Sequence, residues 1–296
     1  MALLKSGKPK RPTSRKTNRA HAFAPDFFII GAMKSGTTTL HQYLDQRDDV
    51  GMARIKETDY FLQDTHKALG VDWYKSQFDL TRACLGEASP NYTKYDIFPG
   101  VPDRIYAAAP EAKLIFIARD PVTRFASHYR HSWLHGHMRV APEDLLASDN
   151  GRHMVECSRY AAQLEKYLEV FDRSQLLIVD FDQLCEIPQT VLDEIARFLE
   201  LDPERVSELA AANTADHVAR IPPFIKRAAR SKLARRVDRF FPNGTRQALG
   251  RALSRRDPID VPGLGEEILK AAAEMMRDDA RRFRTLAGQD FSQWSV

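Results

Sequence analysis

Phe27-Phe28-Ile29-Ile30-Gly31-Ala32-Met33-Lys34-Ser35-Gly36-Thr37-Thr38-Thr39 sets a short apolar run directly before a loop of glycines and hydroxyls. A continuous apolar run closed by glycine reads as a strand buried on both faces, the kind that parallel sheets contain. A helix is expected to follow from about Thr38 to Gln46. Between the two, glycine lets the backbone turn sharply, so N–H groups and the helix N-terminus converge on one anion. Lys34, Ser35, Gly36, Thr37 and Thr38 are therefore the candidate phosphate-binding residues, with lysine adding charge and the hydroxyls neutral donors. Nucleotide hydrolases carry Gly-x-x-x-x-Gly-Lys-[Ser/Thr] at this point. Here Gly31 and Gly36 keep the spacing, but Thr37 occupies the lysine position and the lysine has moved to Lys34. That displacement weakens a kinase or ATPase reading. An ordinary glycine turn is the bland alternative.

Working outward, Lys113 to Ala118 is a second apolar run, followed by Arg119-Asp120-Pro121. Proline suits the first turn of a helix, which is expected to run through Tyr129 towards His135. Ligands of open parallel sheets bind at the carboxyl ends of strands, where Arg119 stands. Ser127 follows at about two helical turns, a spacing that lets both groups face one phosphate. Arginine suits phosphate because its fork donates two parallel hydrogen bonds. A strand–helix salt bridge would be the plain role of Arg119 taken alone. Together with the loop, the segment points to a nucleotide phosphorylated at two separate positions.

A third strand is expected at Leu176 to Val179, a helix around Ile195 to Leu199, and a last helix from about Gly265 to Leu286. Strands alternating with helices predict an α/β fold: a P-loop-like central parallel β-sheet with helices on both faces, in a single domain over residues 25–296. Residues 1–24 read as a disordered basic tail, with seven basic residues and no acid up to Arg19. Residues 220–256 hold twelve basic residues against Asp238 alone, while the net charge of the 296-residue chain is only +4. Breakers at Pro222-Pro223, Pro242-Asn243-Gly244 and Asp257-Pro258 make 220–263 the least regular part. Ile225, Ala229, Leu233 and Val237 recur there at helical spacing, which describes a basic amphipathic helix. A lid over the nucleotide, a groove for an anionic acceptor, a membrane-surface patch and a solvated face all remain open. Cys84, Cys157 and Cys185 stand far apart without metal-ligand spacing, and no run is long enough to span a membrane. A cytoplasmic protein with reduced thiols, no metal and no nucleic-acid partner is expected.

The two anion segments together resemble the sulfotransferases that use 3′-phosphoadenosine 5′-phosphosulfate (PAPS), in the branch holding heparan sulfate sulfotransferases and their bacterial relatives. Lys56-Glu57-Thr58-Asp59-Tyr60-Phe61, Gly86-Glu87-Ala88-Ser89-Pro90-Asn91-Tyr92, Ser158-Arg159-Tyr160 and the terminal Gly288 to Trp294 also match. The resemblance implies that the first loop holds the 5′-phosphosulfate and that Arg119 with Ser127 holds the 3′-phosphate. It makes Glu57 the catalytic base, since the acceptor must lose a proton as it attacks sulfur. It makes Lys34 the group that neutralises the leaving oxygen. The late loop that closes over the nucleotide in several relatives has its nearest match at Ser254-Arg255-Arg256, so Arg255 and Arg256 are further candidates. Many glycan-modifying relatives carry a lysine where this chain has Ala88. The implied acceptor is a hydroxyl or amine of a glycan, a lipid-linked sugar or a small molecule.

Other functions stay in view: a nucleotide kinase or ATPase, and a non-catalytic binder of PAP or polyanions. The histidines at 128, 131, 135 and 137 cluster, yet no metal motif accompanies them; His128 or His131 is the fallback base. Trp73, Tyr74, Tyr92 and Tyr95 are expected in the core more than in an acceptor cleft, and Ser158 and Tyr160 near the pocket.

Overall fold

A computed structural model describes residues 23, 25–205 and 260–296. Five parallel strands form one sheet: β1 (Phe27–Gly31), β2 (Val50–Met52), β3 (Cys84–Ala88), β4 (Lys113–Ala118) and β5 (Leu176–Asp180), in the order β2-β3-β1-β4-β5. β1 lies in the middle, with Phe27 opposite Gly86 on one side and Lys113 on the other. Every residue of β1 is buried. Alternation then divides them: Phe28 and Ile30 join one core, Phe27 and Ile29 the other. Fully burying each such side chain stabilises by about 1.5–3 kcal/mol.

Helices cover both faces. Towards Phe28 pack α2 (Gln63–Lys75), α3 (Val101–Ala108), α6 (Tyr160–Leu168) and the C-terminal helix α9 (Glu266–Ala287). Towards Phe27 pack α1 (Thr37–Asp45), α7 (Phe181–Glu186) and α8 (Pro188–Phe198). A third cluster joins α9 to α4 (Pro121–Leu134) and α5 (Asp149–Glu156) at the sheet's end.

The three strands expected from apolar runs are present, and α1, α4 and α9 start and stop within a residue or two of expectation. β2 and β3 were not expected. Each carries a central glycine that breaks the apolar run, and each glycine has a packing reason. A Cβ on Gly86 would lie 2.0 Å from the Phe27 ring, and one on Gly51 would lie 2.9 Å from Leu85. The tail at 1–22 and the basic segment, with Arg255 and Arg256, lie outside the described residues. Among the described residues, no helix is long and apolar enough to cross a membrane.

After β1 the chain moves towards β2 and β3; after β4 it moves the other way, to β5. A crevice opens where neighbouring strands send their connections in opposite directions, here between the carboxyl ends of β1 and β4. Lys34 and Arg119 leave their strands at that point.

A candidate nucleotide and acceptor site at the carboxyl edge of the sheet

The β1–α1 loop has the turn that the glycines imply. Gly36 caps α1 with φ 85°, and Lys34 takes φ 72°, a left-handed conformation uncommon for a residue with a side chain. Gly36 offers no side chain to cap α1, so the cap itself satisfies none of the helix's first N–H groups. A Cβ on Gly36 would come within 3.1 Å of Phe181, so glycine here also serves packing. Ser35 and Thr37 are buried and Thr38 is half-buried. The Lys34 ammonium reaches His131 Nδ1 at 3.5 Å. Burial, and then the Arg119 charge, push Lys34 below the ordinary lysine value, while the Glu57 charge acts against them. His131 is pushed down to about 4, by burial first and Lys34 second, so it meets Lys34 as a neutral ring.

At the end of β4, Arg119 donates from Nη1 to the Lys34 carbonyl at 3.2 Å and lies 4.7 Å over the Phe181 ring. The two anion segments are thus joined directly. Arg124, which the sequence reading passed over, is fully buried one helical turn before Ser127. It donates to Ser158 Oγ at 2.6 Å, to the Met154 carbonyl at 2.7 Å and to the loop carbonyl of Met33 at 3.5 Å. Burial pushes it down from the ordinary arginine value. Ser127 is half-buried on the same helix. None of Lys34, Arg119 and Arg124 pairs with a carboxylate among the described residues, although burying a charge is expensive without a partner.

Carboxylates gather on the other side. Glu57 follows β2 with φ 64°, its N–H donating to the Ala88 carbonyl at 3.0 Å. Its carboxylate is 46% exposed and paired with Lys56 at 2.5 Å. Thr58 Oγ1 donates to Glu87 at 2.7 Å, and Ser89 and Tyr92 donate to the same Oε1 at 2.6 Å each. Tyr74 donates to Oε2. Glu87 therefore sits wholly buried in a cage of four hydroxyls, raised by burial and lowered by those bonds, with the balance upward. Asp59 takes φ 51° and accepts from Asn91 at 2.9 Å, while its other oxygen is buried without a partner. Burial lifts it to about 6. Nothing in the residue types alone singled out Asp59, Glu87 or Arg124, since an acid or arginine reads as exposed until its neighbours are known.

Of the expected site residues, Arg119 is bonded to the Lys34 carbonyl and the Glu57 charge acts on Lys34, while Arg255 and Arg256 lie outside the described residues. Tyr74 and Tyr92 belong to the core and Trp73 packs against it, as expected, whereas Tyr95 is exposed. Ser158 and Tyr160 sit behind the crevice, bonded to Arg124 and to the Arg119 carbonyl. The His131 and His135 rings lie 4.1 Å apart at a tilt of 39°, and among the described residues no group of three metal-ligating side chains forms.

The family described as "Sulfotransferase domain" matches residues 24–247. The bifunctional heparan sulfate N-deacetylase/N-sulfotransferase 4 of Mus musculus is 31% identical over 204 residues, covering 60% of this chain and 22% of that protein. The heparan sulfate glucosamine 3-O-sulfotransferase 5 of Mus musculus is 31% identical over 196 residues, 62% of this chain and 55% of that one. The chain therefore spans about a fifth to about half of the length of these relatives. Among solved structures, a sulfotransferase from Alicyclobacillus acidocaldarius superimposes with a TM-score of 0.67 at 22% identity, covering 93% of this chain and 100% of that one, which shows a shared fold. A family match that runs through both anion segments and over well more than half of the sequence leaves one assignment: the chain belongs to the sulfotransferase domain family.

Proposed function

We propose that this protein transfers a sulfuryl group from PAPS to a hydroxyl or amine of a glycan or related acceptor. The observation that carries the reading is the trio of Lys34, Arg119 and Arg124, joined through the loop carbonyls of Met33 and Lys34 and lacking any carboxylate partner among the described residues. A site of that kind is completed by an anion. Two cationic segments meeting at one crevice suit a nucleotide with phosphates at both ends.

In this reading Lys34, Ser35, Gly36, Thr37 and Thr38 hold the 5′-phosphosulfate, and Arg119 with Ser127 holds the 3′-phosphate. Arg255 and Arg256 remain proposed contacts to the nucleotide. PAPS supplies the activated sulfuryl group. Glu57, on the crevice's acidic side, accepts the acceptor's proton at a carboxylate oxygen. Lys34 offers its ammonium to the oxygen that takes up charge, and its depressed pKa makes it a readier proton donor there. A sulfuryl group carries less charge than a phosphoryl group, so a lysine and backbone donors suffice without magnesium. The relatives named for heparan sulfate favour a glycan acceptor; the small departure at Ala88 leaves its identity open to a screen.

The test is transfer from labelled PAPS to aminosugar-containing oligosaccharides, simple sugars, lipid-linked sugars and phenols, with and without excess EDTA. Transfer that survives chelation supports the reading. Transfer of phosphate from ATP, or strict dependence on magnesium, would replace it with the kinase alternative.

A further inference from the structure

We propose that the C-terminal strap, residues 288–296, is a positioning element of the 3′-phosphate site, acting through Asp120 on Arg119. The inference rests on the reading of Arg119 and Ser127 given above. Asp120 stands between Arg119 and α4 and is almost wholly buried. One oxygen, Oδ1, accepts the Thr123 N–H at 2.7 Å and caps α4. Capping needs only that oxygen. The second, Oδ2, is given to a part of the chain 175 residues away, accepting the Ser295 N–H at 2.5 Å and the Ser295 hydroxyl at 2.8 Å.

A second route runs in parallel. Trp294 packs on Tyr160 with ring centroids 5.9 Å apart, and the Tyr160 hydroxyl donates to the Arg119 carbonyl at 2.9 Å. The strap itself is firmly seated. Gly288 ends α9 with φ 68°, Phe291 stacks on Trp294 at 4.3 Å, and Trp294 stacks on Phe283 at 5.5 Å. Arg284 donates to the Asp290 carbonyl at 2.7 Å and to the Val296 carbonyl at 2.6 Å. Asp279 of α9 accepts the N–H groups of Ala161 and Ala162 at 2.9 Å each, fixing the start of the helix that bears Tyr160.

Arg119 needs such help because no carboxylate orients its guanidinium among the described residues. Its direction follows from where its backbone sits, from the Phe181 ring and from the Lys34 carbonyl. A fork that must meet a phosphate in two parallel bonds works only within about 0.5 Å of its place. Both oxygens of Asp120 and the Tyr160 hydroxyl hold the backbone at the carbonyl of Arg119 and just after it. Coupling of this kind is reciprocal, so a ligand that engages Arg119 must also steady the strap.

The test uses the full chain. Hydrogen exchange across residues 288–296 is followed with saturating PAP and with saturating AMP, which lacks the 3′-phosphate. PAP is expected to slow exchange in the strap and AMP to leave it near the ligand-free rate. Ser295→Ala and Asp120→Asn should each reduce the preference for PAP over AMP by roughly 3- to 10-fold, the loss of one or two hydrogen bonds. Ser295→Thr, which keeps the hydroxyl, should restore it. If Asp120→Asn fails to fold, the Ser295 pair and the exchange data decide alone. Arg119→Ala separates the two levels: a variant that keeps the PAP preference overturns the reading of the site. If Arg119→Ala loses the preference while PAP leaves wild-type strap exchange at its ligand-free rate and Ser295→Ala keeps the wild-type ratio, the strap merely closes the fold and the inference is wrong.

Discussion

Around the ends of β1 and β4 three cations, Lys34, Arg119 and Arg124, have no carboxylate to answer them among the described residues, while beside β2 and β3 three carboxylates, Glu57, Asp59 and Glu87, share one lysine contact. The same sheet edge carries opposite imbalances a few residues apart. Their pKa shifts mirror each other: burial holds Lys34 and Arg124 down and Asp59 and Glu87 up. The cations are held by carbonyls, a hydroxyl and rings without a countercharge, which costs free energy, whereas Glu87 is held by four hydroxyls. The proposed transfer, from an anionic donor to an acceptor that gives up a proton, would use both sides.

Four substitutions bear on that contrast. The largest effect is expected from Glu57→Gln, which keeps the side chain's size but removes the carboxylate proposed as the base. Turnover should fall by roughly 10²–10⁴-fold with PAP affinity nearly intact. A fully active variant would move the role to a histidine such as His128, which is buried and far below its ordinary pKa through burial and then Arg124.

Next comes Glu87→Leu, because all four caged hydroxyls would lose their acceptor. Each orphaned hydroxyl costs about 1–3 kcal/mol, so denaturant melts should show a loss of several kcal/mol. Activity should fall as well, because Thr58, the neighbour of Glu57, loses its anchor. Glu87→Gln keeps one acceptor oxygen for three of the donors and should recover most of both. If Leu and Gln behave alike, the cage does not hold the loop.

Arg119→Ala follows on the cationic side. A charge-assisted hydrogen bond contributes about 1.5–3 kcal/mol, so thermal shift and calorimetry should show PAP binding weakened by roughly 10- to 100-fold and AMP binding little changed. An equal loss for both ligands would place Arg119 away from the 3′-phosphate.

The smallest effect is expected from Asp59→Asn, and its sign is the informative part. The folded value of about 6 lies above the ordinary 3.8. Between these values the folded protein binds more protons than the unfolded chain, so stability falls as pH rises through that window and is level above it. The variant should therefore match the wild type below pH 4 and exceed it at pH 7. After allowance for solvent screening the gain is on the order of 1 kcal/mol. A variant less stable at pH 7 would mean that Asp59 has a partner holding its charge.

The contrast also separates what residue patterns reveal from what they hide. Phe27 to Thr39 and Lys113 to Ser127 carried the strands, the turn and both anion segments in consecutive residues, and each lies where expected. Local chemistry suffices there, because one strand, one glycine turn and one helix N-terminus build the feature. β2 and β3 escaped because Gly51 and Gly86 answer to Leu85 and Phe27, packing neighbours that patterning along the strand does not display.

By itself the sequence determined the parallel α/β sheet, the glycine loop with its displaced lysine, and the pairing of that loop with Arg119. Apolar periodicity and backbone freedom are properties of short segments, so they can be read from one. Only the tertiary structure decided that Arg124 is a buried cation, that Glu87 is caged, that Asp59 is half-starved of donors and that Ser295 grips Asp120. Each of those depends on desolvation and on partners 29 to 175 residues away, and a charge acquires its energy from its surroundings rather than from its place in the chain.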